Sequence, residues 1–230
     1  ARQGPFCIID SELAEVKEHP GHLCQEEEAH RILQWCGLSH DGRRKSVNQD
    51  ALSVFYSEKG WANSADLSGE NSIDDSGLIF AVSDGMGGPA SGEVASELVV
   101  RELRRFLPAM LGDFHGAADP EALLESAVRS LHDYVTRVGD RDPRLMGMGA
   151  TVVCGLFHRT RVYFAHVGDS RLYQFRKGEL KQLTFDHTYV GAEFRAGKLS
   201  EREARSHPRK NILRQAIGAG CQFVSPQVSS

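Results

Sequence analysis

The stretch from Ile79 to Glu93, Ile-Phe-Ala-Val-Ser-Asp-Gly-Met-Gly-Gly-Pro-Ala-Ser-Gly-Glu, constrains the fold of this chain more than any other. An apolar run ends in an acid, passes through glycines and a proline, and opens into a helical pattern. That order predicts strand, tight turn and helix, with Asp84 where the strand stops. A carboxylate so placed is held rigidly, while the glycines behind it let backbone approach a ligand. Asp84 and the carbonyl of Gly85 could then be oxygen ligands to a metal. An Asp-Gly pair also serves as an ordinary turn, and the fragment alone does not decide between the two.

Composition narrows the setting. At 230 residues, 40% hydrophobic and 25% charged, the chain has the make-up of a globular domain with one sizeable core. A net charge of −4 supplies no basic field, so neither nucleic acid nor an anionic membrane is an expected partner. No apolar window is long enough to span a bilayer, and a cytoplasmic monomer is expected. The five cysteines, at 7, 24, 36, 154 and 221, contain no C-x-x-C pair, which argues against a disulfide framework. His19, His22, Cys24 and His30 cluster, but their spacing fits no standard zinc finger.

Along the chain, residues 1–30 lack a sustained period and are expected to be an extension that packs loosely or ties onto the domain, with a short helix near Ser11–Glu18. Ile32–Leu38 and Ala51–Tyr56 read as strands around a loop that carries Arg43, Arg44, Lys45 and then Asn48-Gln49-Asp50. Both signs of charge there could hold an anion and a metal together. The Ser-, Asn- and Gly-rich span Glu58–Gly77 reads as an exposed loop, and its acids lack EF-hand spacing. Apolar residues at helical spacing predict a helix over about Gly92–Leu107, closed by Pro108, and a second one capped by Asp119 with Pro120 at its first position. Gly149–Phe157, Arg161–Val167, Ser170–Arg176 and Glu179–Leu183 read as an antiparallel meander. Its second turn, Val167-Gly168-Asp169-Ser170-Arg171, again sets an acid at a strand's end. Tyr189–Gly218 reads as a charged helical excursion.

In order, Asn48-Gln49-Asp50, Asp84-Gly85-Met86-Gly87-Gly88, Gly149-Ala150-Thr151 and Val167-Gly168-Asp169-Ser170-Arg171 resemble the metal-dependent protein phosphatases of type 2C, the PPM family. The likeness runs from about Trp35 onward and is strongest to the bacterial branch. It implies an α+β fold, an αββα sandwich of two antiparallel sheets flanked by helix pairs, here lacking its last strands and C-terminal helix. It divides the chain into an extension (1–30) and an incomplete phosphatase domain (31–230) with a flap-like excursion at about 189–218. It also implies two Mn²⁺ or Mg²⁺ ions and a weaker third, with Asp84 bridging, Gly85 giving a carbonyl, Asp50 beside the same ion and Asp169 holding the further one. A phosphoprotein is the implied substrate. The phosphate-binding cation of the family falls on Lys45 or Arg44, with a lysine lacking the planar fork of arginine.

Two departures stand out. Where some relatives carry a histidine proposed as general acid, this chain has Met86, which cannot donate a proton. Two further metal aspartates of the family have no counterpart after Asp169, since Asp186 is the only later aspartate. Two functions are therefore expected in competition: a protein serine/threonine phosphatase continuing past Ser230, or a catalytically incompetent phosphatase-like module that binds phosphoproteins or a partner.

Overall fold

The Gly77–Met86 strand (β6) is the axis of the structure, a computed structural model that describes residues 6–10, 32–40, 48–58, 61–72, 77–111, 119–158 and 161–230. Leu78, Ile79, Phe80 and Ala81 are all buried, the pattern of a strand covered on both faces. β6 pairs antiparallel with Asp50–Glu58 (β3) on one side, in a register from Ser57↔Gly77 to Asp50↔Asp84. On the other side it meets Val152–His158 (β8) and, at its end, Gly149–Ala150 (β7). Arg161–Val167 (β9), Ile217–Gly218 (β12), Gln227–Ser229 (β13) and Trp61–Ser64 (β4) complete an eight-stranded sheet.

Two long helices, Pro89–Leu111 (α1) and Pro120–Arg141 (α2), bury their apolar stripes on one face of this sheet. Leu103, Leu107, Leu124 and Leu131 are completely buried, and each contributes about 1.5–3 kcal/mol by leaving water. The predicted cap of α2 is present: the Asp119 side chain accepts a hydrogen bond from the Glu121 N–H at 3.0 Å. α1 differs from expectation at both ends. It begins at Pro89, whose fixed φ suits the first turn, and continues past Pro108 to Leu111. A proline's φ is itself helical, and packing of Met110 against the core holds the last turn.

A second layer consists of Arg171–Arg176 (β10) and Glu179–Gln182 (β11), paired antiparallel, and Phe6–Asp10 (β1), paired parallel with β10. Phe80, Val153, Phe164 and Leu172 form a smaller apolar cluster around these strands. The predicted meander is therefore divided. β8 and β9 belong to the large sheet, β10 and β11 to the small one, and the chain passes between them at Gly168–Asp169–Ser170.

One further expectation is corrected. The span read as a loop holds β4 and Ser68–Ser72 (β5), which pairs with Ile32–Cys36 (β2). Phe6–Asp10 of the N-terminal segment forms β1 and ties onto the domain through β10, while the helix expected near Ser11–Glu18 lies outside the described residues. The expected helical excursion is present as two short helices, Tyr189–Arg195 (α3) and Glu201–Ser206 (α4). No described helix is long and apolar enough to cross a membrane.

Candidate metal and phosphate site

Asp50 and Asp84 are direct partners across β3 and β6. Residues directly opposite in an antiparallel pair share one face, so two half-buried carboxylates stand side by side at the strand ends. Like charges so placed repel, and a cation relieves them.

The turn behind Asp84 is fixed from three directions. Gln49, nearly buried, accepts the Gly85 N–H on its carbonyl at 2.9 Å, and its side-chain amide donates to the Gly88 carbonyl at 2.7 Å. The first turn of α1 touches the strand: a Cβ on Gly85 would stand 1.8 Å from the Gly92 carbonyl oxygen. Only glycine fits there.

Thr151 joins this turn to the second acid-bearing loop. Its N–H donates to the Asp84 carbonyl at 2.9 Å, and its Oγ1 accepts the Asp84 N–H at 2.9 Å. The same Oγ1 shares a hydrogen bond of 2.5 Å with Ser170 Oγ, and Ser83 Oγ donates to the Thr151 carbonyl at 2.7 Å. Asp169 is thereby held one residue from a group bonded to the Asp84 support. Gly168 allows the approach, with φ +113° and its Cα pressed on Thr151, where a Cβ would lie 2.5 Å from the methyl carbon.

The electrostatics around Asp169 favour a cation. Burial, and then the neighbouring Asp186, raise its pKa above the ordinary carboxylate value. Asp186 is itself taken by Arg171 in a two-pronged ion pair, with Nε to Oδ1 at 2.8 Å and Nη2 to Oδ2 at 2.6 Å. Next to it, His187 accepts the Gly168 N–H on Nδ1 at 3.3 Å and stacks on His166 with ring centroids 4.7 Å apart. Burial first, then the Arg195 charge, hold the His187 pKa down at about 4, with Arg214 adding to the effect against the opposing Asp186. His166 is fully buried, and burial followed by His187 pushes it to about 3. Both rings are neutral at neutral pH.

Asp50, Asp84, the Gly85 carbonyl and Asp169 are hard oxygen donors, which suit Mg²⁺ or Mn²⁺ better than a soft metal. Asp50 and Asp84 come together, and Asp169 stands on the adjoining loop. Among the described residues no three acidic, histidine or cysteine side chains converge on one point. Lys45 and Arg44 lie outside the described residues. Met86 is half-buried opposite Gly149. Reading the residues one by one missed the roles of Gln49, Thr151 and Ser170, because each works through a partner distant in sequence; only their place inside the resembling motifs marked them.

The family model for protein phosphatase 2C matches residues 36–219. The chain belongs to the protein phosphatase 2C family. The serine/threonine protein phosphatase PstP of Mycobacterium tuberculosis is 38% identical over 148 residues, 64% of this chain and 28% of that protein. The serine/threonine phosphatase stp of Listeria welshimeri is 36% identical over 180 residues, 77% of this chain and 64% of that protein. The chain thus spans under two thirds of either relative. Among solved structures, serine/threonine phosphatase Stp1 from Staphylococcus aureus superposes with a TM-score of 0.66 at 25% identity, over 93% of this chain and 74% of that one. The catalytic domain of the serine/threonine protein phosphatase PstP in complex with two manganese ions gives a TM-score of 0.58 at 28% identity, over 87% and 70% of the two chains. A protein phosphatase 2C fold accounts for the α+β architecture.

Proposed function

We propose that this protein hydrolyses phosphoserine and phosphothreonine in proteins, using two divalent cations, Mn²⁺ or Mg²⁺. The observation that carries the reading is the Asp50–Asp84 pair in register at the strand ends, backed by a turn whose Gly85 leaves no room for a Cβ. Family membership and the manganese complex of the PstP catalytic domain support it. In this reading Asp84, Asp50 and the Gly85 carbonyl would hold the two cations, and Asp169 a weaker third. When bound, the cations supply Lewis-acid activation of water and neutralise phosphoryl charge.

The chain's own residues position and exclude. Gln49 and Thr151 hold the backbone of the Asp84–Gly85 turn, so the donors need not reorganise when phosphate arrives. Lys45 or Arg44 steadies the equatorial phosphate oxygens. Met86 holds no transferable proton, so the leaving-group proton does not come from that position. Residues 31–230 make up the phosphatase domain, 1–30 an extension and about 189–218 its flap.

The test is hydrolysis of a phosphothreonine peptide while Mn²⁺ is titrated. Activity should rise with Mn²⁺, vanish with a chelator, and fall by at least about 10²-fold in Asp84→Ala, on the scale of losing a charge-stabilising group. Activity retained in Asp84→Ala sinks the assignment.

A further inference from the structure

The excursion over residues 189–218 carries seven Lys or Arg and three Asp or Glu. Its net charge of +4 stands in a chain of −4, so all other residues together carry −8. This basic segment of an acidic protein sits beside the candidate site.

Within it, two guanidinium groups are oriented in advance. The Arg195 Cζ lies 5.4 Å from the centre of the Phe185 ring, and the Arg214 Cζ 5.8 Å from that of Tyr189. Both rings are more than half exposed, at 53% and 56%. A guanidinium held over an aromatic face still has N–H groups left to donate to a carboxylate. Among the described residues no carboxylate lies within 4 Å of either charge, whereas Arg205 is matched by Glu201 at 2.5 Å.

Their place relative to the site is fixed by backbone. The Arg214 N–H donates to the His187 carbonyl at 2.7 Å, and Arg195 Nη1 donates to the Asp186 carbonyl at 3.0 Å. His187 in turn bonds the Gly168 backbone in both directions, at 2.7 and 3.3 Å, one residue before Asp169. Two cations held over aromatic rings, with no carboxylate partner among the described residues, therefore flank the loop that presents the second acid.

We propose that Arg195 and Arg214, with Phe185 and Tyr189, form a ledge that docks acidic residues flanking the phosphorylated side chain, so that the substrates are phosphoproteins with acidic sequence around the site of modification. The proposal rests on the phosphatase reading for its substrate but not for its binding test. The occupant is a peptide because the ledge pairs an aromatic face with each cation, which suits a chain presenting carboxylates between apolar contacts.

The test is fluorescence anisotropy, in chelator, of two labelled phosphothreonine peptides, one with Glu and Asp at the flanking positions and one with Gln and Asn. The protein should bind the acidic peptide at least about 10-fold more tightly at low salt, with the gap closing as salt rises. The double variant Arg195→Gln/Arg214→Gln should lose that gap, and Arg176→Gln, an exposed change at the far end of β10, should keep it. Equal binding of the two peptides, or a gap that survives the double variant, overturns the proposal. An anionic vesicle that binds more tightly than the acidic peptide and depends on the same two arginines overturns it as well. Mn²⁺-dependent turnover of p-nitrophenyl phosphate by the unaltered protein separately reads the chemistry, so a failed phosphatase and a failed ledge give different results.

Discussion

Replacing Thr151 with valine keeps the shape of the side chain and removes one oxygen. That oxygen accepts the Asp84 N–H and bonds Ser170 Oγ, and both Thr151 and Ser170 are buried. Valine leaves the Asp84 N–H and the Ser170 hydroxyl facing a methyl group. At about 1.5 kcal/mol for each orphaned polar group, Thr151→Val costs about 3 kcal/mol. Ser170→Ala removes one bond and leaves Thr151 still accepting from Asp84, for about 1 kcal/mol. In the double variant the Ser170 hydroxyl no longer exists to be orphaned, so the cost is about 2 kcal/mol instead of the additive value of about 4. Urea unfolding of the four proteins, with equal slopes required, measures all three differences. A Thr151→Val loss under about 0.5 kcal/mol, or additivity of the two changes, refutes the role given to Thr151.

Gly85→Ala should cost about 3 kcal/mol or more, because the methyl would meet backbone at 1.8 Å, while Gly178→Ala, with open space and φ +77°, should cost only about 1–2 kcal/mol from the dihedral. Urea midpoints separate the two. Arg171→Lys should lose about 1–2 kcal/mol, since an ammonium replaces one prong of the pair with Asp186; a change under about 0.3 kcal/mol would make that pair incidental. Stability should also fall with acid. His166 and His187 are depressed to about 3 and about 4, so below the unfolded value near 6.5 the unfolded chain binds protons that the folded one refuses. Each contributes about 1.4 kcal/mol of loss per pH unit between roughly 6.5 and its folded pKa. Unfolding midpoints at pH 7, 6 and 5 should show the slope, and His166→Gln should remove one histidine's share of it.

Much of the fold was legible because burial wrote it plainly. β6 is a continuous apolar run, and α1 and α2 carry long stripes at helical spacing. β4 and β5 were not legible, since Ser68-Gly-Glu-Asn-Ser72 forms a strand by exchanging backbone hydrogen bonds with β2 while its described side chains stay exposed. The parallel strand β1 escaped for a similar reason, as five residues without a turn to a partner hold no register. Asp50, Asp84 and Asp169 could be picked out as acids beside strand ends. That Thr151 supports both acid-bearing turns could not, because its partners lie 67 and 19 residues away.

Those separations bear on how the protein comes to be folded at all. The site's backbone support joins residues 49 to 88, 84 to 151 and 151 to 170. Contacts of such range close large loops before they are rewarded, and chains that depend on them fold slowly. Among the described residues no hairpin or helix carries the acid pair together with Thr151 and Ser170, so a nascent polypeptide has no preformed nucleus for the site until the segment around Ser170 has emerged. The proposed metal affinity, followed during refolding, should therefore appear with the last, slowest phase, and proteolytic fragments ending before Thr151 should have none of it.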